Sequence, residues 1–180
     1  MKHFSRFPAV LCLCAVVGAG VLYCAGYKMI LPSDLDYKKC WLSKPSAGIE
    51  VSASKQPLFE TRNNRAYDAS VKRNIGIFAV KIQNSGIRPL KVDSAHVLIL
   101  DGSGNRAEVI RDPAMPAKVL KMGQPLRDDL ASYSLWGNVL EPGKSYCALI
   151  CVATSSDPYF ATYFLRFLGE NGEVLTDARF

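Results

Sequence analysis

Histidine is almost missing from this chain. Among 180 residues there are two, His3 and His96, and His3 precedes a long apolar run. That scarcity argues against a histidine-based metal centre and leaves His96 as the one imidazole for general acid–base chemistry. A Gly-x-Ser-x-Gly nucleophile elbow is also lacking. So are internal repeats, low-complexity tracts and any regular alternation of strand and helix patterns. Without that alternation a doubly wound parallel sheet is not expected. Charge is lacking altogether from Phe7 to Tyr27, "FPAVLCLCAVVGAGVLYCAGY".

As a helix this run is about 30 Å long, the hydrocarbon thickness of a bilayer. Lys2, His3 and Arg6 precede it, and positive charge there keeps that end in the cytoplasm. Three fates fit the residues. A retained anchor suits a run longer than the ~7–15 apolar residues of a cleaved signal. Clean cleavage suits the small residues of Val17-Gly18-Ala19 or Cys24-Ala25-Gly26. Lipidation of Cys24 would use Val21-Leu22-Tyr23-Cys24, a loose lipobox with a large Tyr23 before the acceptor. Each fate puts the rest of the chain outside the cytoplasm, in the cell envelope, with the membrane as a partner through residues 1–27.

Export shapes the reading of the six cysteines. Cys12, Cys14 and Cys24 belong to the apolar segment, which leaves Cys40, Cys147 and Cys151 for the exported body. Thiols oxidise outside the cytoplasm. Cys147 and Cys151 sit in "SYCALICVAT", a strand pattern, where four residues span about 13 Å and exceed the ~7 Å limit for a bridge. The expected disulfide therefore joins Cys40 to Cys147 or to Cys151 and leaves an odd thiol. No metal and no cofactor are expected. Without Lys2 and Arg6 the chain keeps 20 basic residues against 16 acidic, a net of +4. The densest basic stretch, "TRNNRAYDASVKR", reads as a solvated polar loop, and nucleic acid is not an expected partner.

The remaining pattern is alternation. Residues 28–45 read as a tether that docks through Cys40 and Trp41, and 46–180 as the body. "IEVSASK" places Ile49, Val51 and Ala53 on one face. Phe78, Val80 and Ile82 share a face in the next strand, "NSG" turns the chain, and Pro89 opens a short edge piece. "SAHVLIL", the turn "DGSGN" and "RAEVI" form a hairpin. Leu126, Leu130 and Tyr133 fall at helical spacing in a Pro-rich insert. The turn Glu141-Pro142-Gly143 precedes a long strand, and Asn171-Gly172 joins the last two. Seven or eight short strands with one helical insert predict an all-β, antiparallel sandwich. On the long strand, Tyr146, Ala148, Ile150 and Val152 face the core, so Cys147, Leu149 and Cys151 face outward and need a cover. The Cys40-Trp41 segment, the insert helix or an envelope protein partner would supply it, which makes Trp41 and Leu149 a candidate interaction patch.

The stretch "FAVKIQNSGIRPLKVDSAHVLILDGSGN" resembles the paired strands of small secreted bacterial immunoglobulin-like domains, the telokin-like or immunoprotective extracellular kind. "LEPGKSYCALICV" and "YFLRF" are similar to their turn-led long strand and late core strand. The resemblance spans roughly residues 46–178 and departs at the Pro-rich insert and the two strand cysteines. It implies an immunoglobulin-like sandwich and carries over no catalytic residue. The expected function is a non-catalytic, membrane-tethered envelope module for binding or structural interaction, without a small-molecule substrate. The alternative is an enzyme that uses a thiol, Cys147 or Cys151, with His96.

Overall fold

Strand β3 (Ile75–Asn84) is apolar on both faces for its first six residues and alternates only from Lys81 onward. A strand of that kind needs a layer on each side, and the fold supplies both. The structure, a computed structural model, describes residues 29–30, 32–39, 48–54, 56–59, 65–93, 95–112 and 114–180. β3 pairs antiparallel with β2 (Ile49–Ala53) and with β8 (Ser145–Ala153). β1 (Lys38–Lys39) and β6 (Glu108–Ile110) extend the sheet to the order β1-β2-β3-β8-β6. A second sheet has the order β10-β9-β5, from Val174–Arg179, Tyr163–Leu168 and Val97–Asp101. β4 (Leu90–Val92) and β7 (Asn138–Leu140) form a small third ladder.

The two larger sheets meet over one core. Ile49, Val51 and Ala53 of β2, Phe78, Val80 and Ile82 of β3, and Ala148, Ile150 and Val152 of β8 pack against Leu165, Phe167 and Phe180. The faces expected from alternation are the faces observed. Turn chemistry holds too. The Asp101 carboxylate accepts from the N–H groups of Ser103 and Asn105, each at 2.9 Å, and so closes the β5–β6 turn.

Helices cover the opposite face of the five-stranded sheet, and here the expectation of one helical insert is corrected to three helices. α1 (Arg65–Lys72) lies where a polar loop is expected. Its buried positions are Ala66 and Ser70, neither a large apolar residue, and it docks by Ser70 Oγ pairing with the Tyr159 hydroxyl at 3.0 Å and by Tyr67 stacking on Tyr159. α2 (Ala114–Leu120) tolerates Pro116 because a first-turn residue needs no backbone donor. α3 (Gly123–Ser132) buries Leu126 and Leu130 as the spacing predicts. Together with Leu35, Leu58 and Phe59 these helices bury Ile77, Ala79, Leu149 and Cys151. The described residues are thus mostly β, in antiparallel sheets, with a helical layer on one side and ten strands where seven or eight are expected.

The described part of the tether is docked. Met29 bridges Phe59, Ile30 N–H donates to the Leu58 carbonyl at 2.8 Å, and Leu35 is buried. Among the described residues no helix is long and apolar enough to cross a membrane. The expected anchor or signal, with Cys24, lies outside them.

Candidate functional site

At one end of the sandwich the β3–β4 loop faces the β9–β10 hairpin across a cleft of about 540 Å³. Asn84, almost fully buried, builds the first wall. Its side-chain amide donates to the carbonyls of Arg88 (2.7 Å) and Leu140 (2.8 Å), and its Oδ1 accepts from Gly86 N–H at 3.0 Å. The loop is thereby held open with Arg88 and Lys91 on the cleft and Ile87 93% exposed at its tip. Gly48 supports the loop from beneath. Its φ of +68° suits glycine, and an added Cβ would stand 2.6 Å from the Gly86 nitrogen.

The second wall is the hairpin Leu168–Leu175. Gly169 N–H donates to the Glu173 carbonyl at 2.8 Å, and the Glu173 carboxylate accepts from Asn171 N–H at 3.1 Å. Glu173 is therefore occupied in shaping the turn, while Glu170 is exposed on the rim. The floor is apolar, from Ile49, Leu90, Leu168 and Leu175.

His96 lines the same cleft. Asp93 Oδ1 lies 2.8 Å from His96 Nδ1 and also accepts from the N–H groups of Ala95 and His96. A carboxylate can only accept, so Nδ1 carries the proton and Nε2 is left as the acceptor when the ring is neutral. The His96 hydrogen bond, helped by the two backbone donors, holds the Asp93 carboxyl below its usual range. His96 is thus a hydrogen-bonded histidine, tied further by its carbonyl to Leu168 N–H at 2.8 Å. None of the cleft-lining residues carries a hydroxyl or a thiol. A cleft with two cations, a histidine, two carboxylates and an apolar floor suits recognition of a segment that bears both signs of charge and an apolar side chain.

The cysteines are elsewhere. Cys147 and Cys151 are unbridged, and both point to the helix-covered face, the face opposite the one that meets the sheet of β5. Neither shares the cleft with His96. Cys151 is buried among apolar side chains, which pushes its thiol up to about 12. Cys147 is half-buried beside Tyr37, whose hydroxyl donates to the Pro32 carbonyl at 2.6 Å. Burial, and then the adjacent Cys147, raises the Tyr37 hydroxyl. Cys40 and Trp41 lie outside the described residues. Their neighbour Lys39 is linked through Ser52 and Lys81 to Cys147, three ladder steps or about 14 Å away. The expected bridge from Cys40 to Cys147 or Cys151 therefore lies outside the described residues. Leu149, at 5% exposure, lies under the helical cover and so is no part of an exposed patch.

Asn84, Arg88, Lys91 and Glu170 were not singled out by sequence reasoning, because "NSGIRPL" and "GENGE" read as turn chemistry alone. Only the topology brings those two turns face to face. No family model, no curated protein and no solved structure matches this chain.

Proposed function

We propose that this protein is a non-catalytic module of the cell envelope, held at the membrane by its N-terminal segment, whose immunoglobulin-like sandwich recognises a partner protein through the end cleft. The observation that carries the reading is that cleft. Two loops pinned by Asn84 and Glu173 frame about 540 Å³ of mixed charge over an apolar floor. Strand order supports the immunoglobulin-like part. With β1 and the separate β4–β7 ladder left out and the other strands lettered along the chain, β2-β3-β8-β6 and β5-β9-β10 follow the A-B-E-D and C-F-G orders of a constant-type sandwich. The uncharged run from Phe7 to Tyr27 supports the membrane part. Lys28 alone separates the apolar run from Met29, which is bridged to Phe59. A membrane-embedded run would therefore hold the body against the lipid headgroups.

The test is site-directed photocrosslinking in living cells. A crosslinker at Ile87 is expected to yield a discrete adduct that Arg88→Glu with Lys91→Glu reduces severalfold. The same crosslinker at Val139, 56% exposed on β7 and absent from the cleft lining, should yield none. Equal capture from both positions, or adducts indifferent to the charge reversals, would refute recognition through the cleft. Protease added to cells with a permeable outer layer should digest the body, and protection equal to that of a cytoplasmic control would refute the location.

A further inference from the structure

The legs of the β5–β6 hairpin belong to different sheets. Ala107 N–H still donates to the Ile99 carbonyl at 2.8 Å, and Leu100 bridges Arg106, but from Glu108 onward the chain pairs with β8 in the five-stranded sheet. Where the legs part, the side of the sandwich opens into a groove of about 320 Å³. The nearly buried Val97 and Ile99 close its floor, the half-buried Val109 and Trp136 give it apolar wall, and Arg106 and Arg111 are the charged residues that line it. The groove is separate from the end cleft and shares no lining residue with it.

The two arginines are the unusual feature. The Arg111 guanidinium carbon stands 4.9 Å from the centre of the Trp136 ring. Such a stack fixes the planar group while leaving its N–H edges available for hydrogen bonding. Among the described residues neither Arg106 nor Arg111 has an ion-pair partner, and no carboxylate lines the groove. Arg166 differs, giving Nε and Nη2 to the two Asp177 oxygens at 2.8 Å each. Two guanidinium groups on one small concavity repel one another and attract an oxyanion, which each can bind through two parallel hydrogen bonds. The apolar lining selects what the oxyanion is attached to. The volume is at the small end of the range for ligand sites.

We propose that this groove binds a small organic anion, a carboxylate or phosphate on a short aliphatic body, with the oxyanion between Arg106 and Arg111 and the aliphatic part against Val109 and Trp136. This site does not depend on the end cleft or on the membrane reading.

The test uses the full-length protein in micelles with Trp41→Phe, so that the one remaining indole N–H resonance belongs to Trp136. Four probes are titrated: butyrate, butyl phosphate, the neutral isostere butyramide and inorganic phosphate. Saturable movement of the Trp136 resonance is expected with butyrate, butyl phosphate or both, at least tenfold tighter than with butyramide or inorganic phosphate. A preference between the two organic anions identifies the oxyanion, and inorganic phosphate reports how much the aliphatic body contributes. Arg106→Gln and Arg111→Gln should each weaken binding tenfold or more, Arg111→Lys should weaken it less than Arg111→Gln, and Arg179→Gln, outside the groove, should change nothing. Thermal unfolding of each variant checks that the fold is kept, and Arg106→Gln leaves the tryptophan stack intact if Arg111 variants are unstable. The proposal is overturned if neither organic anion saturates, if butyramide or inorganic phosphate binds equally well, or if folded arginine variants bind as tightly as their parent.

Discussion

Truncating Leu126 to alanine tests whether the helical layer is part of the core or an appendage to it. Leu126 is 0% exposed and packs in the cluster of α3, α2 and the outer face of β3 and β8. Removing three side-chain carbons forfeits about 2 kcal/mol of transfer free energy. The cavity left between helix and sheet adds to that, because the flanking strands are fixed by their ladders. Buried leucines truncated in this way cost about 2–5 kcal/mol, and the complete burial of Leu126 points to about 3–4 kcal/mol here. That loss lowers the folding equilibrium constant by about two to three orders of magnitude, a large fraction of a domain's stability. Met115→Ala on α2 is the control, since Met115 is 48% exposed and surface changes stay within about 0.5 kcal/mol. Urea unfolding followed in parallel by tryptophan fluorescence and far-ultraviolet circular dichroism reads the result. One coincident transition is expected in both proteins, with the midpoint displaced for Leu126→Ala and the slope unchanged. If the fluorescence midpoint is unmoved while helical signal melts separately, the helices are an appendage and the reasoning fails.

Alkaline pH should destabilise the fold. Burial pushes the Cys151 thiol from about 9 to about 12 and, as the largest cause, the Tyr159 hydroxyl from 10.0 to about 12, so the unfolded chain loses these protons first. Stability is then full below about pH 9 and falls as pH rises toward 12; Cys151→Ala should delay the onset to about pH 10, and urea midpoints that stay level from pH 8 to 11 would contradict this. Asn84→Ala should cost about 2–3 kcal/mol, since the Arg88 and Leu140 carbonyls lose their donor. Asn84→Asp should be at least as costly because a carboxylate cannot donate; thermal unfolding that ranks Asp as the milder change would show that the amide is not what holds the loop.

Much of the strand framework was legible because its information is local. The side-chain period of two puts Ile49, Val51 and Ala53, or Phe78, Val80 and Ile82, on one face whatever the strands pair with. Asp101, Gly143 and Gly172 mark turns through their own backbone and side-chain chemistry. Leu126 and Leu130 likewise announce a helix by spacing, whereas α1 stayed hidden because Ala66 and Ser70 dock through small residues and a tyrosine contributed from residue 159. The outward apolar residues of β8 told that a cover must exist, but not which cover. That answer depended on helices separated from β8 in sequence, and it turned Leu149 from a candidate contact into core. The cleft and the groove were decided by tertiary structure alone. Each arises where segments distant in sequence converge or where neighbouring strands join different sheets, and no local pattern records which turn will face which. Residue identity determined what each segment can do; the order of strands in the sheets determined which segments do it together.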